Sequence, residues 1–96
     1  MAVNRESEYY SEPPADDELR LRYLTIDEAL PKLDRFIQEK YLQGFSEVKI
    51  IHGKGSGTLR LSVRRELGRN SLVHSFRTGE NYEGGEGVTI VVLSNR

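Results

Sequence analysis

Six consecutive residues in the middle of the chain combine the features that favour phosphate binding. Residues 52–57, His-Gly-Lys-Gly-Ser-Gly, hold three glycines at alternate positions around one lysine. Glycines allow a backbone to approach a ligand closely, and a helix after such a loop presents free N–H groups and the positive end of its dipole. We therefore predict a phosphate-binding loop. Its contact residues would be Gly53, Lys54, Gly55 and Gly57.

A basic helix is predicted directly after this loop. Leu59, Val63 and Leu67 have the spacing of one helical face, and Arg60 and Arg64 lie four residues apart beside them. Arginines at this spacing would extend the positive surface by one helical turn, which suits a polyanion. The alternative is that the glycines only form a tight turn and the cations are solvated.

Two further residues are candidates for chemistry at the same place. The ordinary pKa of a histidine, about 6.5, would let His52 act as a general base or a phosphate donor, and a hydrogen bond that merely caps the loop is equally compatible. Arg22 follows a predicted strand, and ligands usually bind where the carboxyl ends of parallel strands gather. We predict that His52 and Arg22 meet at this edge.

The loop spacing excludes two common nucleotide sites. It matches neither the G-x-x-x-x-G-K-[ST] loop of nucleoside triphosphatases nor the G-x-G-x-x-G dinucleotide motif, so no mononucleotide cofactor is predicted. Metal-assisted cleavage of a phosphodiester requires carboxylates that converge on a cation. For the five candidate carboxylates we predict solvated charges and no metal site: Asp27, Glu28, Glu80, Glu83 and Glu86.

Strand and helix patterns place these residues in one small domain. Residues 19–24 alternate apolar and charged side chains, which predicts a first strand with Arg20 and Arg22 on one face and Tyr23 on the other. Thr25 and Glu28 form a capping box that starts a helix running to about residue 43. The β-branched segment 47–52 predicts the second strand.

The remaining strands complete the fold class. Residues 73–78 and 88–93 are predicted strands, joined by the glycine-rich segment 79–87 as a long hairpin. The order β-α-β-α-β-β predicts an α/β domain, an α+β two-layer sandwich. Its four-stranded mixed sheet has strands one and two parallel and both helices on one face. By parity, the helix-covered side chains of the last strand would be Val88, Ile90 and Val92, and the open face would be partly basic.

Charge is distributed unevenly along the chain. The net charge of -1 combines -5 in residues 1–18 with +4 in residues 19–96. Residues 1–18 also lack an apolar period, which predicts a flexible acidic arm before a domain at 19–96. The chain has no cysteine and no membrane-length apolar run or secretory signal, so we predict a cytoplasmic protein without disulfides or membrane contact. Oligomeric state, and whether this is a whole protein or a C-terminal domain, stay open.

Several motifs together resemble the Smr (small MutS-related) domain. The match includes the loop at 52–57 and the segment Gly-Gly-Glu-Gly-Val-Thr at 84–89. It extends to Leu-Thr-Ile-Asp-Glu-Ala at 24–29 and Ser-Glu-Val-Lys-Ile-Ile at 46–51, so the resemblance covers residues 19–93. Smr domains occur alone and at the C-terminus of MutS-like proteins of the second paralogous group, and they resemble the C-terminal domain of bacterial translation initiation factor three.

The resemblance implies binding of DNA, RNA or both. It also implies two alternatives for activity. One is a nicking endonuclease in DNA repair, recombination or ribosome-associated RNA processing, with Mg²⁺ or Mn²⁺ as its cofactor and His52 and Arg22 as its catalytic residues. The other is a catalytically inactive module that binds nucleic acid or protein without a cofactor. The implied partners are nucleic acid and the ribosome.

The first strand departs from the family pattern at two positions. Smr domains usually have Leu-Asp-Leu-His or Leu-Asp-Leu-Arg followed by glycine, whereas this chain has Arg20 in place of the acidic residue and Tyr23 in place of the glycine. The acidic residue is implicated in cleavage in this family, so Arg20 favours binding over catalysis. Arg22 matches the last position of the motif. Tyr23 is expected to pack on the domain, with stacking on a base as the alternative.

Overall fold

Two helices cover one face of a four-stranded sheet in the computed structural model, which describes residues 15–95. The sheet has the order β1-β2-β4-β3, with β1 parallel to β2 and β4 antiparallel to both of its neighbours. The predicted fold class is therefore confirmed. The elements are β1 Glu18–Arg20, α1 Ile26–Leu42, β2 Glu47–Ile51, α2 Thr58–Arg69, β3 Val73–Thr78 and β4 Val88–Leu93, with 3₁₀ turns at Asn81–Glu83 and Gly85–Gly87.

The predicted capping box starts α1. The hydroxyl of Thr25 accepts a hydrogen bond from Glu28 N (3.2 Å), and the Glu28 carboxylate accepts one from Thr25 N (2.9 Å). These two bonds satisfy donors that a helix start otherwise leaves unpaired. The helix continues through Pro31 and ends at Leu42, one residue before the predicted end. Neither helix within residues 15–95 is long and apolar enough to span a membrane.

The first strand is shorter than predicted because the chain turns at its end. Leu21 N still donates to Ile51 O (2.8 Å), but Leu24 N then donates to Leu21 O (3.2 Å) and closes a turn. Tyr23 lies in this turn with φ +70°. The prediction of a strand through residue 24 was therefore wrong. Of the predicted acidic arm, residues 1–14 lie outside the described part, and residues 15–18 form a turn that leads into β1.

The parity predicted for β4 was also wrong. Val91 and Leu93 belong to the core cluster under the helices, together with Val48 of β2, which pairs with Val91. Val88, Ile90 and Val92 therefore point to the opposite face. Val88 and Ile90 are nevertheless buried, because the 3₁₀ turns lie over this face and Gly84 approaches Val88 closely. An apolar strand covered on both sides has no period from which its core face can be chosen.

The open face of the sheet carries matched charges. Lys49 lies 3.8 Å from the carboxylate of Glu18, and Arg77 lies 3.9 Å from that of Glu47. Arg77 also makes a bidentate pair with Glu83, with N–O distances of 2.8 and 3.0 Å. This pair holds the pKa of Glu83 at about 2. The partly basic face expected from the sequence is therefore a face of both signs.

A buried polar pair joins the end of β2 to β4. His52 is 4% exposed and Thr89 is fully buried, and Nε2 of His52 lies 2.8 Å from Thr89 Oγ1. Nδ1 of the same ring lies 2.9 Å from Gly53 O, which only accepts, so Nδ1 carries the proton and Nε2 accepts from the threonine hydroxyl. Burial lowers the pKa of His52 below 6.5, and the charges of Arg64 and Arg60 add to this against the opposing Gly53 bond.

This lowered pKa predicts a loss of stability in mild acid. The unfolded chain binds a proton at His52 more readily than the folded domain, so the contribution of His52 is complete above pH 6.5 and is lost as the pH falls through the folded pKa. We expect the free energy of unfolding to be lower at about pH 5.5 than at about pH 7.5, as measured by urea denaturation. The Glu83 carboxylate titrates well below this window.

Two variants test the assignment to His52. His52→Gln should be less stable throughout but should lose the pH dependence in this interval, because the titrating group is gone. Thr89→Val should cost about 1–3 kcal/mol at about pH 7.5, since it leaves Nε2 of His52 without a donor. Equal stability of the unmodified domain at both pH values would contradict a neutral, buried His52.

Candidate nucleic-acid interface

The glycine loop is anchored at its base by the start of β4. His52 N and Gly53 N both donate to Gly87 O, at 3.0 and 2.9 Å. Gly87 is buried and lies so close that a Cβ on it would be 3.4 Å from Gly53 Cα. Together with the bonds of the His52 ring, these contacts hold residues 52 and 53. The tip of the loop, residues 54–56, is exposed.

The first turn of α2 meets this loop without a side-chain cap. Its N-cap residue is Gly57, with φ +89°, and no acidic residue lies in its first turn. The Ser56 hydroxyl, which precedes the N-cap residue, accepts a hydrogen bond from Thr58 N at 3.3 Å. By contrast, α1 begins with a full capping box and has Asp27 and Glu28 in its first turn. The positive end of the α2 dipole is therefore uncompensated by acidic side chains of its own first turn.

Arginine side chains lie on both ends of the loop. A Cβ on Gly53 (φ +81°) would be 3.1 Å from Cγ and 3.2 Å from Nε of Arg22, so the missing side chain leaves room for Arg22. A Cβ on Gly57 would be 3.3 Å from Nη2 of Arg60. Lys54 is exposed between them. Three cations thus surround the exposed backbone of the loop.

A first cleft of about 420 Å³ lies on the β2 side of the loop. Arg22, Lys49 and Lys54 contribute its cations, and the 3₁₀ segment at 83–87 forms the opposite wall. Glu83 holds that wall in place, because its carboxylate binds Arg77 and also accepts from Glu80 N at 2.8 Å. The charged residues that line this cleft are therefore three cations and one carboxylate, Glu83, which is paired with Arg77.

A second cleft of about 380 Å³ lies on the helix side of the loop. It is lined by the loop itself and by the starts of both helices, from Tyr23 to Ile26 and from Gly57 to Leu59. The loop thus separates two open clefts, one over the sheet edge and one between the helix starts. An extended anion can contact the exposed loop tip from either side.

The structure separates the remaining predicted site residues from the loop tip. Both ring nitrogens of His52 are engaged inside the domain, so its geometry corresponds to the loop-capping alternative, and its catalytic role stays a prediction. Arg64 donates to Thr78 Oγ1 on β3 instead of reaching along the loop. Arg20 pairs in register with Ile51 on the open face and lines neither of the two clefts.

The described residues do not fit a divalent metal ion. Within residues 15–95, no group of three or more histidine, aspartate or glutamate side chains is close enough to hold one. The carboxylate near the loop end of α2 is Glu86, 3.8 Å from Arg60, and Glu83 is bound to Arg77. The side chains around the loop tip are cations, which attract phosphate and repel a metal ion.

Two features of the site were missed by sequence reasoning. The segment 79–87 was predicted as a long hairpin connection, whereas it forms one wall of the first cleft. The signal was present, because Glu80 and Glu83 have capping-box spacing and form that box in the structure. Tyr23 was expected to pack on the domain, but it is 91% exposed. The alternating pattern of residues 19–24 gave no signal for the turn that contains Tyr23.

Comparison with known proteins places this geometry in a family. The Smr domain family model matches residues 19–94. The endonuclease MutS2 of Pelotomaculum thermopropionicum is 49% identical over 77 residues, and that of Listeria innocua is 45% identical over 85 residues. These matches cover 80% and 88% of this chain but only 10% and 11% of those proteins. The chain therefore spans about a tenth of the length of these relatives.

Two solved structures have the same fold. The Smr domain of Thermus thermophilus MutS2 superposes with a TM-score of 0.80 and 42% identity, covering 82% of this chain and 99% of that domain. YdaL, a stand-alone small MutS-related protein from Escherichia coli, superposes with a TM-score of 0.81 and 27% identity, covering 94% and 73%. On the family match and these relatives, the chain belongs to the Smr domain family.

Proposed function

We propose that this Smr domain binds the phosphate backbone of DNA or RNA through the loop tip at 54–56 and the first turn of α2. The observation that carries the proposal is the start of α2, where the N-cap glycine supplies no side-chain cap and the first turn has no acidic residue, whereas α1 has a full capping box. A helix start of this kind attracts anions. On α1, Asp27 and Glu28 of the first turn neutralise the equivalent position.

The arrangement of cations favours a polyanion over a single phosphate. Arg22 and Arg60 lie at the two ends of the loop, and Lys54 is exposed between them. The clefts on either side are open, so a chain of phosphates can pass the loop without being enclosed. The names of the MutS2 relatives, which are endonucleases, also support nucleic acid as the ligand. The ribosome as a partner and a cytoplasmic location stay predictions from sequence.

Cleavage of the bound strand is the second candidate function, and the relatives' name favours it. Against it stand the cationic side chains around the loop and the internal hydrogen bonds of His52, which occupy both ring nitrogens. A general base must reach the proton that it removes. We therefore assign nucleic-acid binding as the function of this domain. If the domain also cleaves, Arg22 is the exposed candidate catalytic residue.

Removing the exposed cation of the loop tests the binding site directly. Lys54→Ala should weaken binding to a structured RNA and to a DNA junction. It should also make the dependence of log K on log salt shallower by about 0.9 for duplex DNA, because one phosphate contact is lost. The measurement is a fluorescence anisotropy titration at several salt concentrations.

Arg69→Ala is the matched control for Lys54→Ala. It changes the net charge by the same amount, but Arg69 is an exposed residue at the far end of α2, about 16 Å along the helix from Thr58. The Arg69→Ala variant should keep the affinity of the unmodified domain and the same dependence of log K on log salt. Equal effects of the two variants would show that overall charge, and not the loop, determines binding.

A carboxylate at the start of α2 should stabilise the domain while weakening binding. Thr58→Glu places a negative charge in the first turn, which should stabilise the helix by roughly 0.3–1 kcal/mol through its dipole. The same charge should repel phosphate. Thr58→Gln has the same side-chain length without the charge and should retain most of the affinity. Undiminished binding by Thr58→Glu would exclude this helix start as the phosphate site.

A plasmid assay separates binding from cleavage. We expect the purified domain to bind supercoiled plasmid without nicking it, with or without Mg²⁺ or Mn²⁺, because no carboxylate cluster for a metal occurs in residues 15–95. Nicking that disappears in Arg22→Ala would instead establish the cleavage function. Nicking that persists equally in Arg22→Ala and His52→Ala would come from a contaminating nuclease.

A further inference from the structure

Tyr23 is exposed beside the loop in a backbone conformation that tyrosine rarely adopts. Its side chain is 91% exposed, and within residues 15–95 it is the one non-glycine residue with positive φ, at +70°. It is the third residue of the turn closed by Leu24 N and Leu21 O (3.2 Å). A positive φ at the third position of a β-turn strongly favours glycine. Tyr23 therefore contributes no packing to the core, and its side chain disfavours the backbone conformation that it adopts.

The ring is instead held by Arg22. The guanidinium carbon of Arg22 lies 5.0 Å from the centroid of the Tyr23 ring, and Nη2 donates to the Tyr23 hydroxyl at 3.1 Å. The aliphatic part of Arg22 lies against Gly53, as the 3.1 Å approach of its Cγ to a Cβ position there shows. Ring, guanidinium and glycine loop thus form one connected series. At this exposure, the rest of the ring surface faces solvent.

The Tyr23 ring and the Arg22 side chain that holds it lie beside both clefts. Arg22 lines the first cleft, and Tyr23 lines the second, between the starts of the two helices. A backbone whose phosphates contact the loop tip would therefore pass within reach of the ring. Bases stack on aromatic side chains only when they are unpaired, because bases within a duplex are already stacked on each other.

We propose that Tyr23 is a stacking platform for an unpaired base, so that the domain prefers bulged, looped or single-stranded nucleic acid to a continuous duplex. This inference rests on the proposed phosphate binding and adds the class of substrate. The loop cations supply affinity for any nucleic acid, and the ring adds affinity only where a base is free. Arg22 both contacts phosphate and orients the ring.

The test uses two oligonucleotides that differ by one unpaired base. One is a continuous duplex, and the other contains a single bulged 2-aminopurine, whose fluorescence changes when the base stacks. The unmodified domain should bind the bulged form about tenfold more tightly, a typical effect of one aromatic–base stack, and should quench its fluorescence. Tyr23→Ala should abolish the preference and the quenching while its affinity for the duplex stays the same.

Three further variants make the test specific. Tyr23→Phe should retain the preference, because the ring remains after the hydroxyl is removed. Tyr82→Ala removes another exposed tyrosine, 85% exposed and outside both clefts, and should change nothing. Tyr23→Gly should melt at the same temperature as the unmodified domain or higher, since glycine relaxes the positive φ, and should lose the preference.

The outcomes distinguish this inference from the function on which it rests. The stacking role is overturned if Tyr23→Ala binds both oligonucleotides as tightly as the unmodified domain does. It is also overturned if the unmodified domain does not prefer the bulged oligonucleotide to the continuous duplex. Phosphate binding at the loop is unaffected by that result as long as Lys54→Ala still weakens binding to both. If Lys54→Ala also has no effect, the proposed function itself fails.

Discussion

The hydrogen bonds that join the end of β2 to the start of β4 determine the shape of the whole site. Gly87 O, just before β4, accepts from two successive backbone N–H groups, and the buried ring of His52 binds Thr89 on β4. These bonds fix the base of the glycine loop and leave the tip exposed. Because the base is fixed, the direction in which the loop enters α2 is fixed as well. Without these bonds, the cations around the loop would no longer be held in one orientation relative to the start of α2.

The positive charge available to a ligand depends on which cations are already paired with carboxylates of the domain. On the open face, Arg77 is paired with Glu47 and Glu83, and Lys49 lies near Glu18. These cations offer little net attraction to a polyanion, since the carboxylates compete for them. Around the loop tip, Arg22 and Lys54 have no such carboxylate partner among the ion pairs of the described residues. The attractive surface is therefore much smaller than the count of cations suggests.

The sequence predicted the elements better than the faces and turns between them. The capping box at Thr25 and the bounds of β3 and β4 were confirmed because their signals are local. The core face of β4 was wrong because both of its faces are buried, one of them by the 3₁₀ turns that follow β3. The exposure of Tyr23 could not be predicted, because the alternating pattern that precedes it continues through the turn. The loop was found early because its glycines and Lys54 are contiguous in the chain.

The most direct test of the account is to observe which backbone amides respond to a phosphate backbone. In a ¹⁵N–¹H spectrum titrated with a short oligonucleotide, the largest shifts should belong to the amides of Gly55, Ser56 and Thr58, at the loop tip and the start of α2. Shifts that leave these amides unchanged and fall instead around Lys49 and Arg77 on the open face would contradict it.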